Sequence, residues 1–235
     1  ALLVIWSFNS LFMANSLTFA VSALLIMTAH IPQAAATDRT GGIYANTVFG
    51  ITAYLKTPRL RGLLAVYFAV SSIGAMIIVN TVVLTRGALG GSEILTTGFL
   101  ACAGGGSMMA AFLIPGLIER LGERGLMLSG IVGAAIAMLL GGALMIAGDV
   151  SVIAFAVLWG IAGAGTTFAQ TPGGRLVQRS AADGDRSAFF AANFALSHGG
   201  WLFAYGIIGW LGSLADLSVA FLASGGLAFS ATIAA

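Results

Sequence analysis

Residues 150–174 read VSVIAFAVLWGIAGAGTTFAQTPGG, a run between Asp149 and Arg175 without one charged side chain. A helix rises about 1.5 Å per residue and the apolar core of a bilayer is about 30 Å thick, so about 20 apolar residues cross it. Backbone N–H and C=O groups find no water there, so only helices and closed barrels span. The run is continuously apolar rather than alternating, which selects a helix. Six more uncharged runs flank it, at 1–37, 62–85, 94–118, 125–148, 187–215 and 217–235. The sequence thus predicts an all-α fold, a polytopic transmembrane helical bundle whose first partner is the lipid bilayer.

Composition excludes other classes. Only 8% of residues are charged and mean hydropathy is +1.01, whereas about 25% charged residues is usual for a soluble domain. The 33 glycines suit membrane helices that approach closely. The net charge of +2 does not call for nucleic acid, because the basic residues fall in the loops between runs. Cys102 is the single cysteine, so an internal disulfide is excluded, and no His/Cys cluster has metal-ligand spacing. No metal and no cofactor is expected.

The loops carry Lys and Arg unequally. Loop 38–61 holds Arg39, Lys56, Arg59 and Arg61, and the next, 86–93, holds Arg86 alone. Loop 119–124 holds Arg120 and Arg124, and loop 175–186 holds Arg175, Arg179 and Arg186. The turns at Asp149 and Asp216 hold none. Positive residues stay on the cytoplasmic side, which places loops 38–61, 119–124 and 175–186 inside. The first run is too long for one helix. A span over about residues 10–31, stopped by Pro32, leaves residues 1–6 as the stump of an earlier helix. The chain starts without Met and ends within an apolar run, so it reads as a fragment. Within 32–61, Tyr44, Val48, Ile51 and Leu55 recur at helical spacing. Two readings stand, an amphipathic helix on the inner face or a tethering linker.

No Asp, Glu, Lys or Arg lies deep within a run, so a buried ion does not mark a coupling site. His198 is twelve residues past Arg186, about 18 Å along a helix and near the bilayer midplane. Phe194, His198, Trp201 and Tyr205 share one helical face. Such a face can stack on an amphipathic small molecule or hold a proton near neutral pH. The alternative is a neutral histidine bonded to a helix carbonyl. Run 150–174 adds Trp159 at mid-helix, then Thr166, Thr167 and Gln170. Run 62–85 has Tyr67, Ser71, Ser72 and Asn80, whereas run 125–148 has only Ser129 as a hydroxyl or amide side chain. Polar side chains favour a bundle interior, although each hydroxyl can equally bond the carbonyl one turn back. The candidate substrate-binding residues are Trp159, Thr167, Gln170, Phe194, His198, Trp201 and Tyr205. Glycines at 104–106, 160–165, 199–200 and 206–212 permit either close packing or bending.

The stretch Pro115-Gly116-Leu117-Ile118-Glu119-Arg120-Leu121-Gly122-Glu123-Arg124 resembles the short inner-loop signature of the major facilitator superfamily. Arg120, Gly122 and Arg124 match that pattern. Glu119 stands for its acid, while Pro115 and Glu123 depart from a Gly and an Arg, as in the degenerate second copy. Asn15-Ser16-Leu17-Thr18-Phe19-Ala20-Val21-Ser22-Ala23 resembles helix 6 of the drug- and siderophore-exporter branch. Leu55-Lys56-Thr57-Pro58-Arg59-Leu60 resembles that branch's lead-in to helix 7. The resemblance spans nearly the whole chain. It implies the end of helix 5 and helix 6 over 1–31, a cytoplasmic central loop over 32–61, and a C-terminal six-helix bundle over 62–235, truncated at its end.

It implies further a secondary active transporter, exporting small amphipathic molecules by alternating access, multi-pass in a bacterial inner membrane. The missing N-terminal half would be its partner. Glu119, Arg120, Gly122 and Arg124 would form a conformational gate, since carboxylate and arginines on a tight turn can clasp neighbouring helix ends. The plainer reading is that Arg120 and Arg124 anchor the loop. Other readings compete. An intramembrane protease needs a G-x-S-G nucleophile, and Met127-Leu128-Ser129-Gly130 lacks its first Gly. A retinal protein needs a lysine within a helix, but Lys56 is in a loop, and no nucleotide-binding P-loop is present. A permease subunit and a noncatalytic membrane scaffold remain open, and no enzyme is expected.

Overall fold

The computed structural model describes residues 8–29 and 42–235. The stump at 1–6, the stop at Pro32 and the first part of the central loop lie outside the described residues. Two compact units result. The first holds α1 (Phe8–Thr28), an uncharged helix of 21 residues whose polar side chains are not gathered on one face. The second unit holds everything that follows.

That unit begins with α2 (Gly42–Lys56), so the central loop contains a helix. Next comes α3 (Pro58–Val82), which starts on Pro58 and continues into a π turn at Val83–Ala88. Helix α4 (Glu93–Ile146) is continuous by hydrogen bonding but breaks at Gly122, whose φ of 70° and ψ of 169° are not helical. Side chains other than glycine rarely adopt that φ. The two uncharged runs 94–118 and 125–148 therefore form two arms, each long enough to span. Gly148, at φ 73°, ends the second arm as its N–H and that of Asp149 bond back to Met145 and Leu144. The chain continues through α5 (Val152–Gln170), α6 (Gly173–Ser180), a 3-10 turn (Asp183–Asp185), α7 (Arg186–Trp210), a π turn (Leu211–Ala215) and α8 (Leu217–Ala234).

Five helices among the described residues are long and apolar enough to cross a membrane: α1, α3, α4, α5 with α6, and α8. This is a polytopic all-α membrane bundle. Helix α7 covers most of the uncharged run 187–215. Its 25 residues suffice in length, but it is not among those five.

Close approach of main chains holds the unit together. Helix α5 lies between the arms of α4. A Cβ on Gly163 would collide with the Ala103 main chain, one on Gly106 with Gly160, and one on Gly165 with Gly130. Helix α8 packs on the second arm, where Gly141 and Gly142 receive Phe221 and Leu222, and on α3, where the Ser224 hydroxyl donates to the Ser72 carbonyl at 3.0 Å. Helix α7 packs on α3, where Asn80 donates to the Ile208 carbonyl at 3.1 Å. The loops rich in arginine converge at one end, since Arg59, Glu123, Arg124 and Arg179 line one cavity.

Candidate functional site

A cavity of about 270 Å³ opens where α3, the first arm of α4, α5 and α7 meet. Its polar residues are Ser107 from α4, Thr166 and Gln170 from α5, and the Trp201 indole from α7, among apolar neighbours such as Val70, Ile77 and Leu100. No charged side chain lines it. Trp201 reaches the cavity because Gly74 gives it room, a Cβ there falling on the indole ring. Tyr205 stacks obliquely on Trp201, with ring centroids 5.2 Å apart.

One carbonyl organises the polar wall. Ser107, Thr166 and Thr167 each donate a hydroxyl hydrogen to the Gly163 oxygen at 3.0 Å. A carbonyl oxygen has two lone pairs, so three hydroxyls compete for it. The two that face the cavity, on Ser107 and Thr166, can turn to a ligand at little cost. Gln170 makes no hydrogen bond to another described residue and offers both a donor and an acceptor. The cavity can therefore hold a flat apolar group against Trp201 and bond an uncharged polar group opposite.

The structure brings Gln170 and Trp201 into this cavity and places the other sequence candidates elsewhere. Trp159 is fully buried, donating its indole N–H to Thr81 at 2.8 Å and meeting Phe99 and Phe221 edge-on at 5.6 and 5.7 Å. It forms the centre of the packing between α3, α4, α5 and α8. Thr167 bonds back to Gly163 beside the cavity without lining it. Phe194 and His198 stack at 3.8 Å on the exposed side of α7, and His198 Nδ1 lies 2.8 Å from the Phe194 carbonyl. Tyr205 is 38% exposed and reaches the cavity only through Trp201. Ser107 and Thr166 line the cavity without being among the sequence candidates. Helical spacing from Gly163 would have favoured 166 and 170 together.

At the arginine-rich end, Gly122 makes the turn, and Glu119 and Arg120 are exposed. Arg124 donates to the Ala235 main-chain oxygen at 3.2 Å. The ion pair that joins two loops is Glu123–Arg179 at 3.2 Å, with Glu123 largely buried at 16% exposure. Glu123 is, with Pro115, one of the two residues at which the stretch departs from the pattern it resembles.

A second polar node secures α2. Tyr54 is buried and donates to Asn193 Oδ1 at 2.9 Å, and Gly50 sits against the Ala188 main chain. Burial, and then the neighbouring Tyr67, push the Tyr54 phenol above its ordinary range, so it stays a protonated donor. Helix α2 is thus docked on α7. Against family models, curated proteins and solved structures, the chain finds no match.

Proposed function

We propose that this chain is part of a secondary active transporter of the major facilitator type, exporter-like, that carries small amphipathic molecules by alternating access. The observation that carries the reading is the uncharged cavity between α3, α4, α5 and α7, with Trp201 on one side and Ser107, Thr166 and Gln170 on the other. A midplane site at the meeting of helices, built of an aromatic surface and a few convergent polar groups, suits an amphipathic cargo. On this reading the exposed Phe194 and His198 of α7 face the N-terminal half of the carrier, and the Arg-rich end faces the cytoplasm of a bacterial cell. The chain performs no covalent chemistry.

The test is transport of fluorescent amphipathic compounds by the protein in proteoliposomes under imposed ion gradients. Gradient-driven accumulation that falls in Trp201→Ala and Gln170→Ala supports the proposal. A panel of neutral, cationic and anionic amphiphiles that all fail to move, in vesicles where the folded protein is verified, refutes it in favour of a scaffold or permease subunit.

A further inference from the structure

Too many hydrogens meet one oxygen on the wall of the cavity between α3, α4, α5 and α7. The Gly163 carbonyl accepts from the hydroxyls of Ser107, Thr166 and Thr167, each at 3.0 Å. Lying inside α5, it is also the acceptor one turn back for the Thr167 N–H. A carbonyl oxygen has two lone pairs. Thr167 is off the cavity wall, so its N–H and its hydroxyl can hold both. The hydroxyl hydrogens of Ser107 and Thr166 are then in surplus, and both side chains line the cavity.

Main-chain packing builds this surplus. A Cβ at Gly163 would collide with the Ala103 carbonyl, so only glycine lets α4 and α5 come this close. Ser107 lies one turn beyond Ala103 on α4, which brings its hydroxyl to a carbonyl of α5. The rest of the wall adds donors faster than acceptors. The Trp201 indole N–H is a donor only, and it bonds no other described residue. The Gln170 amide brings one oxygen against two N–H hydrogens. An oxygen tolerates a vacant lone pair better than a donor tolerates the lack of an acceptor. What the wall lacks is therefore an acceptor.

We propose that this cavity selects a ligand bearing a hydrogen-bond acceptor, a carbonyl or ether oxygen, beside a flat apolar ring, and that Ser107 and Thr166 read that oxygen. The ring lies against Trp201. The inference rests on the reading of this cavity as the cargo site, and narrows the cargo from amphipathic molecules to acceptor-bearing aromatic ones.

The experiment compares two neutral probes of nearly equal shape, 6-propionyl- and 6-propyl-2-(dimethylamino)naphthalene, which differ by one carbonyl oxygen. Equilibrium binding is measured on the protein in nanodiscs, with empty nanodiscs subtracted. The propionyl probe should bind about tenfold more tightly. Ser107→Ala should reduce that preference to about threefold, and Ser107→Ala with Thr166→Val should bring the two probes within about twofold. Binding of the propyl probe should stay unchanged in both variants, which a misfolded or collapsed site cannot imitate. Ser107→Thr should keep the preference. Equal affinity of the two probes for the parent protein would overturn the proposal, as would an undiminished preference in the double variant. Absence of binding by both probes, or binding as tight in Trp201→Ala as in the parent, would overturn it too. Transport takes no part in this assay. Equal affinities in a protein that does move amphiphiles would refute the acceptor rule alone, whereas the expected preference in a protein that moves none would uphold it and refute the carrier.

Discussion

Helices α5 and α7 use glycine in opposite ways. In α5, Gly163 and Gly165 meet main chain on two sides, Ala103 on one arm of α4 and Gly130 on the other, and Gly160 receives Gly106. In α7, nothing lies within 4 Å of the space a Cβ would take at Gly199 or Gly206. Helix α5 is wedged among neighbours, whereas α7 exposes Phe194, Leu202 and Phe203 and touches the bundle along one face. The candidate cavity sits where these two kinds of helix meet, with Gln170 on the fixed side and Trp201 on the free side. The proposed transport function needs both: a fixed frame to orient a cargo and an adjustable wall to release it.

The largest expected effect comes from replacing a wedged glycine. Gly163→Leu should lower stability by about 1–3 kcal/mol, because the new side chain meets main chain rather than a side chain that can turn away. Gly199→Leu and Gly206→Leu should stay within about 0.5 kcal/mol of the parent. Thermal unfolding in detergent reads both. Similar losses at all three sites would erase the contrast between the helices.

Next in size is Trp201→Ala, expected to weaken cargo binding about tenfold through the lost aromatic contact, with a smaller loss for Gln170→Ala. Equilibrium binding of a fluorescent amphiphile measures each. Trp159→Phe sharpens the comparison. It should cost stability, by removing the donor to Thr81, yet leave binding nearly unchanged. A binding loss at Trp159 as large as that at Trp201 would return the site to the core of the bundle.

Parts of this division were legible in the sequence. Charge spacing separated the spans, and Gly122 within its charged turn marked the break in α4, since both depend on chain-local rules. Loops of matching sign do converge at one end. Packing partners were not legible. Nothing local says that Gly163 meets Ala103 while Gly199 meets nothing, or that Trp159 finds Thr81 from 78 residues away. The helical period does place 163, 166 and 170 on one face, and all three line the cavity. Glu123 read as a flaw in a motif because its partner, Arg179, comes from another loop. Helix α2 was legible as a periodic segment, but its docking through Tyr54 and Asn193 joins residues 139 positions apart.

His198 tests the free side of α7. Its ring stacks on Phe194 and lies by that residue's carbonyl, outside the cavity. No Asp or Glu occurs between Arg186 and Asp216. His198→Gln should therefore preserve substantial transport and the shape of its pH profile. Uptake measured across several imposed pH gradients would detect the contrary case, in which the substitution abolishes the response to the proton gradient.

The smallest effects belong to the helix starts that border the two regions. Ser151 caps α5 through a 3.4 Å bond from the Ala154 N–H, and Asp216 caps α8, just past α7, through a 2.7 Å bond from the Ser218 N–H. The Ser218 hydrogen bonds hold the Asp216 carboxyl below its ordinary pKa. A depressed carboxyl pKa stabilises the fold above the unfolded value, and that contribution disappears as pH falls through the folded value. Asp216→Ala should thus lower the unfolding temperature slightly near neutral pH and converge with the parent in acid. Ser151→Ala, whose hydroxyl does not titrate, should show a small deficit that is the same at both pH values. Unfolding curves for the two variants at neutral and acidic pH distinguish the caps. An Asp216→Ala deficit that persists unchanged in acid would mean the ionised carboxylate adds nothing beyond a neutral cap.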